Sequence, residues 1–141
     1  MNGIKGLCLL VVTACLQGCL DQRVNLIETG ALRLDVQSSD HVHVHWVRAY
    51  QESSGVTISG LLEHQDNDSG AIKVHVDVTL LSFTHEVLAQ AVSLPVFLPS
   101  ERKAHATRAK PFAVTLQGDL PENALVRVKV HFAKHESVSG H

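Results

Sequence analysis

The sequence predicts an all-β fold, a single antiparallel β-sandwich of about seven strands. Two observations lead to this prediction. Apolar and polar residues alternate with period 2 through most of the chain after residue 30, as in strands that bury one face. Turn-forming residues interrupt the alternation at intervals of roughly 10–15 residues. No stretch of any length has the spacing of an amphipathic helix. A small closed barrel is the alternative architecture.

The first three strands are predicted at residues 31–37, 41–47 and 56–62, with a turn at residues 51–55. The side chains expected to face the core from the first two strands are Leu32, Leu34, Val36, Val42, Val44 and Trp46. Alternation is most regular in residues 72–80, where valines and other aliphatic residues alternate with polar ones. Such a pattern predicts a strand with one face on a core and one in water.

Residues 87–94 continue extended, and the prolines that follow, Pro95 and Pro99, favour an edge strand because proline cannot donate to the ladder. Residues 100–110 are polar and basic and predict an exposed loop. Two further strands are expected at residues 112–116 and 124–133. The last one is predicted to point Val126, Val128, Val130 and Phe132 inward.

The N-terminus has the layout of an export signal, with Lys5 followed by an apolar run at residues 6–16. The run is roughly 11 residues long, whereas a spanning helix needs about 20. It ends in Leu16-Gln17-Gly18-Cys19, which resembles the lipobox of bacterial lipoproteins. In that family the cysteine carries the lipid and becomes the first residue of the mature chain. Val12-Thr13-Ala14-Cys15 is the alternative position, and a plain cleaved signal peptide is the third reading.

Cys19 is favoured over Cys15 because cleavage there leaves a longer apolar segment and places polar residues directly after the membrane. The resemblance implies a diacylglycerol and an amide-linked acyl chain such as palmitate, enough for stable anchoring. Leu20, rather than an aspartate, follows the cysteine, which by the sorting pattern of such lipoproteins indicates the outer membrane. All three cysteines precede residue 20, so the body of the chain has no thiol and no disulfide.

The prediction divides the chain into a signal peptide (residues 1–18), a lipidated tether (19–30), the β-sandwich (31–134) and a flexible tail (135–141). The order of strands resembles that of small immunoglobulin-like modules of bacterial envelope proteins, FxLYD-type modules among them. The stretches that carry the resemblance are Val56-Thr57-Ile58-Ser59-Gly60, the valine-rich strand and Phe112-Ala113-Val114-Thr115-Leu116. The resemblance implies an immunoglobulin-like sandwich with a binding or structural role and no catalytic residues.

Histidines form the sharpest local pattern, His41-x-His43-x-His45. Residues two apart share one face of a strand, and imidazole binds both zinc and copper. A further ligand could come from a neighbouring strand, where His75 and His131 occupy outward positions. The simpler interpretation is that all of them are ordinary solvated side chains. A related hypothesis is pH sensing, since histidine changes charge between about pH 5 and 8.

Asp40 and Asp77 are candidates to orient an imidazole from behind. The net charge of −2 and the 4 % aromatic content give neither a basic surface nor stacking platforms for nucleic acid. No sequence motif of a hydrolase, metalloprotease or nucleotide-binding loop occurs, so no enzyme activity is predicted. The expected function is a lipid-anchored, non-catalytic binding or structural module for a protein partner in the envelope. The alternative is a zinc- or copper-binding lipoprotein that uses a histidine-lined strand face.

Overall fold

The computed structural model describes residues 23–65, 70–99 and 108–132. In these three segments the chain forms strands and no helix, so the all-β prediction is confirmed. The described residues therefore include no helix that could cross a membrane. The strands are β1 (Arg33–Gln37), β2 (Val42–Glu52), β3 (Gly55–His64), β4 (Ile72–Leu81), β5 (Val87–Val92), β6 (Val96–Leu98), β7 (Ala109–Gln117) and β8 (Leu125–Phe132).

The strands form two sheets that pack together as a β-sandwich. The five-stranded sheet has the order β1-β8-β4-β5, and β6 pairs with a separate part of β4. The three-stranded sheet has the order β2-β3-β7. β1 runs parallel to β8, while all other described pairs are antiparallel. The predicted sandwich is therefore confirmed, with eight described strands where about seven were expected.

Alternating valines in β4 and β8 form the centre of the core. Val74, Val76 and Val78 are fully buried, as are Val126 and Val128 on the neighbouring strand. Each valine buried in this way contributes about 1.5–3 kcal/mol relative to an exposed one. The same alternation sends every second side chain of β4 and β8 to the outer surface of the sheet, as predicted.

A β-bulge in β2 changes which residues face the core. The register passes from Val44 opposite Leu62 to Trp46 opposite Leu61, which leaves His45 as the extra residue. An extra residue exchanges the two faces of the strand beyond it. Val47 is consequently buried, whereas Trp46 is 38 % exposed, and the predicted inward position of Trp46 was wrong.

Three other predicted details were also wrong, and the first is that Val36, expected to face the core, is 38 % exposed. β2 continues to Glu52, so the connection to β3 is only a two-residue turn rather than all of residues 51–55. Phe132 at the end of β8 is 42 % exposed and not part of the buried core. Its ring instead meets the edge of the His41 ring at a centroid distance of 5.5 Å.

The predicted edge strand is confirmed, although Pro95 divides it into β5 and β6. Between them, Ser93 bonds to β4 through two hydrogen bonds. The Ser93 backbone N–H donates to the Val76 carbonyl and the Val76 N–H donates to Ser93 Oγ, each at 2.9 Å. The side-chain oxygen thus replaces a backbone acceptor at the point where regular pairing stops.

Asn25 attaches the segment before β1 to the three-stranded sheet. Its Oδ1 accepts hydrogen bonds from the backbone N–H groups of Ala49 at 3.1 Å and Ile27 at 3.2 Å. We expect Asn25→Ala to lower the free energy of unfolding by about 1–3 kcal/mol, because the Ala49 N–H would be buried without its acceptor. Asn25→Asp keeps an oxygen acceptor and should therefore lose less stability than Asn25→Ala. Urea unfolding of both variants checks this, and equal losses would contradict it.

Candidate functional site

The outer surface of the five-stranded sheet brings together the polar residues of β4 and β8. Because the inward positions of both strands are valines, the residues between them point outward. The antiparallel register places His75 directly opposite His131, and Asp77 opposite Lys129. The two imidazole rings stack with a centroid distance of 5.3 Å and an interplanar angle of 15°.

Asp77 lies between the two histidines. Its Oδ2 is 2.9 Å from His131 Nε2, and its Oδ1 is 3.7 Å from His75 Nε2. Oδ1 is buried and has no hydrogen-bond partner. The three side chains are each about a quarter to a third exposed, so the cluster is open to solvent from one side. We refer to His75, Asp77 and His131 as the His–Asp–His cluster.

The His–Asp–His cluster is the one group of three metal-ligating side chains found within residues 23–65, 70–99 and 108–132. One ligand atom from each residue lies within 4.8 Å of the other two. Sequence reasoning placed His75 and His131 on outward faces and named both as possible further ligands. It assigned Asp77 only a supporting position, whereas in the structure its carboxylate approaches the Nε2 atoms of both rings.

The predicted histidine row lies on the other sheet. His41 is in the turn before β2, and the rings of His43 and His45 meet edge to face at a centroid distance of 4.8 Å. His45 Nε2 also contacts the carboxylate of Glu63 on β3. The structure does not bring His75 to these residues: among the described residues, Asp77 and His131 complete the group of ligands that contains His75. Metal binding by His41, His43 and His45 stays a prediction.

The predicted lipid-attachment residues, Cys19 and the alternative Cys15, lie outside the described residues. So do the predicted signal peptide, most of the predicted basic loop and the whole of the predicted tail at residues 135–141.

An exposed apolar surface borders the His–Asp–His cluster. Six of the ten exposed large apolar side chains in the described segments fall within residues 83–97, at the free edge of the five-stranded sheet. We define the apolar edge surface as Leu88, Val92, Leu94 and Phe97, of which Leu94 is 85 % exposed. Single exposed apolar residues need no explanation, but a concentration of them marks an interaction site.

The register shows that two residues of the apolar edge surface, Val92 and Phe97, share one face of the sheet with the cluster. Val92 pairs with Asp77, and Phe97 pairs with Lys73, whose ammonium group lies 5.4 Å from the centre of the Phe97 ring. Sequence reasoning predicted an edge strand at residues 87–94 but assigned no exposed apolar surface to it. The available signal was the absence of any charged residue from position 87 to position 100.

No protein-family model, characterised protein or solved structure matches this chain. The fold and its surface therefore define the class of protein on their own. It is a two-sheet, all-β protein with a solvent-open His–Asp–His cluster and an uncharged apolar sheet edge.

Proposed function

We propose that the protein is a lipid-anchored, non-catalytic binding module of a bacterial envelope. Cys19 holds it at the membrane, with the sandwich facing the periplasm from the outer membrane. The lipobox-like stretch before Cys19 supports this address, and so does the absence of cysteine after residue 19. A body without thiols needs no oxidative folding step after export.

The observation that carries the binding role is the composition of β5. Soluble proteins usually protect sheet edges with charges, proline or a covering segment. Residues 87–92 contain neither a charged residue nor a proline, and no described strand pairs with the outer edge of β5. Val87, Leu88 and Val92 are exposed along it. An edge of this kind accepts an added strand from a partner.

The chemistry of the edge defines the partner segment. Backbone N–H and C=O groups of β5 pair with any extended chain, while the uncharged apolar side chains select an apolar one. We therefore propose that the partner is an envelope protein that contributes an extended, uncharged apolar segment. A tether that holds the sandwich at the membrane raises the local concentration of partners on the same membrane.

Site-specific photo-crosslinking in intact cells tests this proposal. A photo-reactive amino acid is placed at Leu88 or Val92, and the matched control carries it at Gln117, which is exposed on the three-stranded sheet. We expect one adduct of the same mass from both β5 positions and none from Gln117. Mass spectrometry should map the cross-link to an extended apolar segment of the partner.

A second substitution strengthens this experiment. Val92→Lys, combined with the photo-reactive residue at position 88, should greatly reduce the adduct because the charge opposes an apolar strand. An adduct formed equally from Gln117, or one unaffected by Val92→Lys, would contradict the proposal. An adduct between two copies of this chain would show that the edge mediates self-association, and it would overturn the proposal of an envelope partner.

A further inference from the structure

We infer that His75, Asp77 and His131 form a binding site for a divalent transition-metal ion, with zinc as the ion that its ligands suit best. The site is separate from the proposed binding edge in chemistry, although both lie on the same sheet face. It also differs from the predicted histidine row, which lies on the other sheet.

The ligand atoms of the three side chains favour zinc. Two imidazole nitrogens and one carboxylate oxygen are ligands that zinc accepts in tetrahedral sites, and a site with three protein ligands keeps its fourth position for water or another ligand. Calcium and magnesium prefer oxygen ligands and are not matched by two imidazoles. The partial exposure of all three side chains leaves the fourth position accessible.

The distances between the ligand atoms also favour zinc. Zinc bonds of about 2.0–2.1 Å place tetrahedral ligand atoms roughly 3.3 Å apart. Asp77 Oδ2 lies 2.9 Å from His131 Nε2 and Asp77 Oδ1 lies 3.7 Å from His75 Nε2, so each carboxylate oxygen is close to that distance from one imidazole nitrogen. All three ligand atoms fall within 4.8 Å of one another. The remaining gap closes by turning the stacked rings, since the second side-chain torsion of histidine is broad and soft.

The rigid backbone that carries the ligands also favours metal binding. His75 and His131 are directly paired residues of two adjacent strands, and eight consecutive cross-strand pairs fix that register. Val74 and Val76, on either side of His75, and Val130, which precedes His131, are buried in the core. The backbone that carries the ligands is therefore already ordered, and binding needs only side-chain rotation.

The buried oxygen of Asp77 is an independent observation that points to a cation. Buried polar atoms nearly always have a hydrogen-bond partner, and an unpartnered one needs an explanation. Asp77 Oδ1 is buried, has no such partner, and faces His75 at 3.7 Å. A metal ion held between the two imidazoles would satisfy this oxygen.

Two cations border the site, and neither blocks it. Lys73 is directed to the ring of Phe97, and Lys129, opposite Asp77, is exposed. Interactions between solvent-exposed charges are weak in water, so the Lys129 ammonium group opposes a bound cation only modestly.

Calorimetric zinc titration of the full chain tests the inference. The protein is purified in detergent without a histidine tag, stripped with chelator and titrated near neutral pH. We expect one zinc ion per chain at this site. The dissociation constant should rise by at least about tenfold in His75→Ala, Asp77→Asn and His131→Ala, since loss of a direct ligand costs more than loss of an outer-shell partner.

The matched control is His85→Asn, which removes an exposed imidazole from the turn between β4 and β5 and should leave the dissociation constant unchanged. Imidazole nitrogen NMR of the wild type adds a readout that needs no variant, and zinc should shift the ring signals of His75 and His131. Equal binding by all variants would overturn the inference. So would ring signals that do not move, or no binding tighter than about 100 µM, roughly −5.5 kcal/mol.

Discussion

Val76→Asp is expected to leave the protein without a cooperative folded state. Val76 is fully buried at the centre of β4, with β8 on one side and the edge segment of Ser93 on the other. An aspartate there would be a buried charge without a partner, which costs about 3–5 kcal/mol or more. That loss is comparable to the whole stability of a small domain, about 5–15 kcal/mol. Thermal unfolding followed by circular dichroism should show no transition.

Thr79→Asp is the matched control for this prediction. Thr79 lies on the same strand but at an outward position, opposite Arg127 on β8. The new carboxylate would meet solvent and a guanidinium group, so the free energy of unfolding should stay within about 0.5 kcal/mol of the wild type. If both aspartates were tolerated, or if both prevented folding, the assignment of the two faces of β4 would be wrong.

Gly60→Ala is expected to cause the second large loss of stability. A Cβ atom at residue 60 would lie 2.4 Å from a ring atom of Phe112 and 2.7 Å from the Trp46 carbonyl oxygen. Phe112 is the cross-strand partner of Gly60, and its ring covers the space where a side chain would be. Overpacking of this kind costs about 1–3 kcal/mol.

A double-mutant cycle separates the two contacts of Gly60. In a Phe112→Ala background the ring is gone, so the added cost of Gly60→Ala should fall, although the Trp46 carbonyl still limits it. Ser59→Ala, one residue earlier on the same strand and only partly buried, should change stability by less than about 0.5 kcal/mol. Chemical unfolding of the four variants and the wild type checks the cycle. An unchanged cost in the Phe112→Ala background would show that the ring is not the obstacle.

The sequence predicted those strands whose alternation is unbroken. In β4 and β8 each inward position carries an aliphatic residue, so one face is specified throughout. The prediction of the buried face of β2 was wrong because a bulge exchanges the two faces in the middle of the strand. The change is visible afterwards in the sequence, since Val42 and Val44 occupy even positions while Val47 and Ala49 occupy odd ones. Two adjacent apolar residues, Trp46 and Val47, mark the change.

The His–Asp–His cluster could be predicted only in part. Outward positions for His75, Asp77 and His131 follow from alternation alone. Their proximity depends on which strands are neighbours and on the register of residues far apart in the chain. A shift of two residues would keep all three side chains outward and yet pair His131 with Lys73 or Asp77 instead of His75. Local sequence patterns contain no information about that choice.

Mass spectrometry of the mature N-terminus, recovered from the membrane fraction, tests lipid anchoring at Cys19 directly. We expect a chain that begins at Cys19 and carries a diacylglycerol on its sulfur and an acyl chain on its amino group. A lipidated chain that begins at Cys15 would show that the protein is lipid-anchored through Cys15 instead of Cys19. A mature chain whose first residue carries no lipid, or one that retains residues 1–18, would contradict the lipid-anchored function.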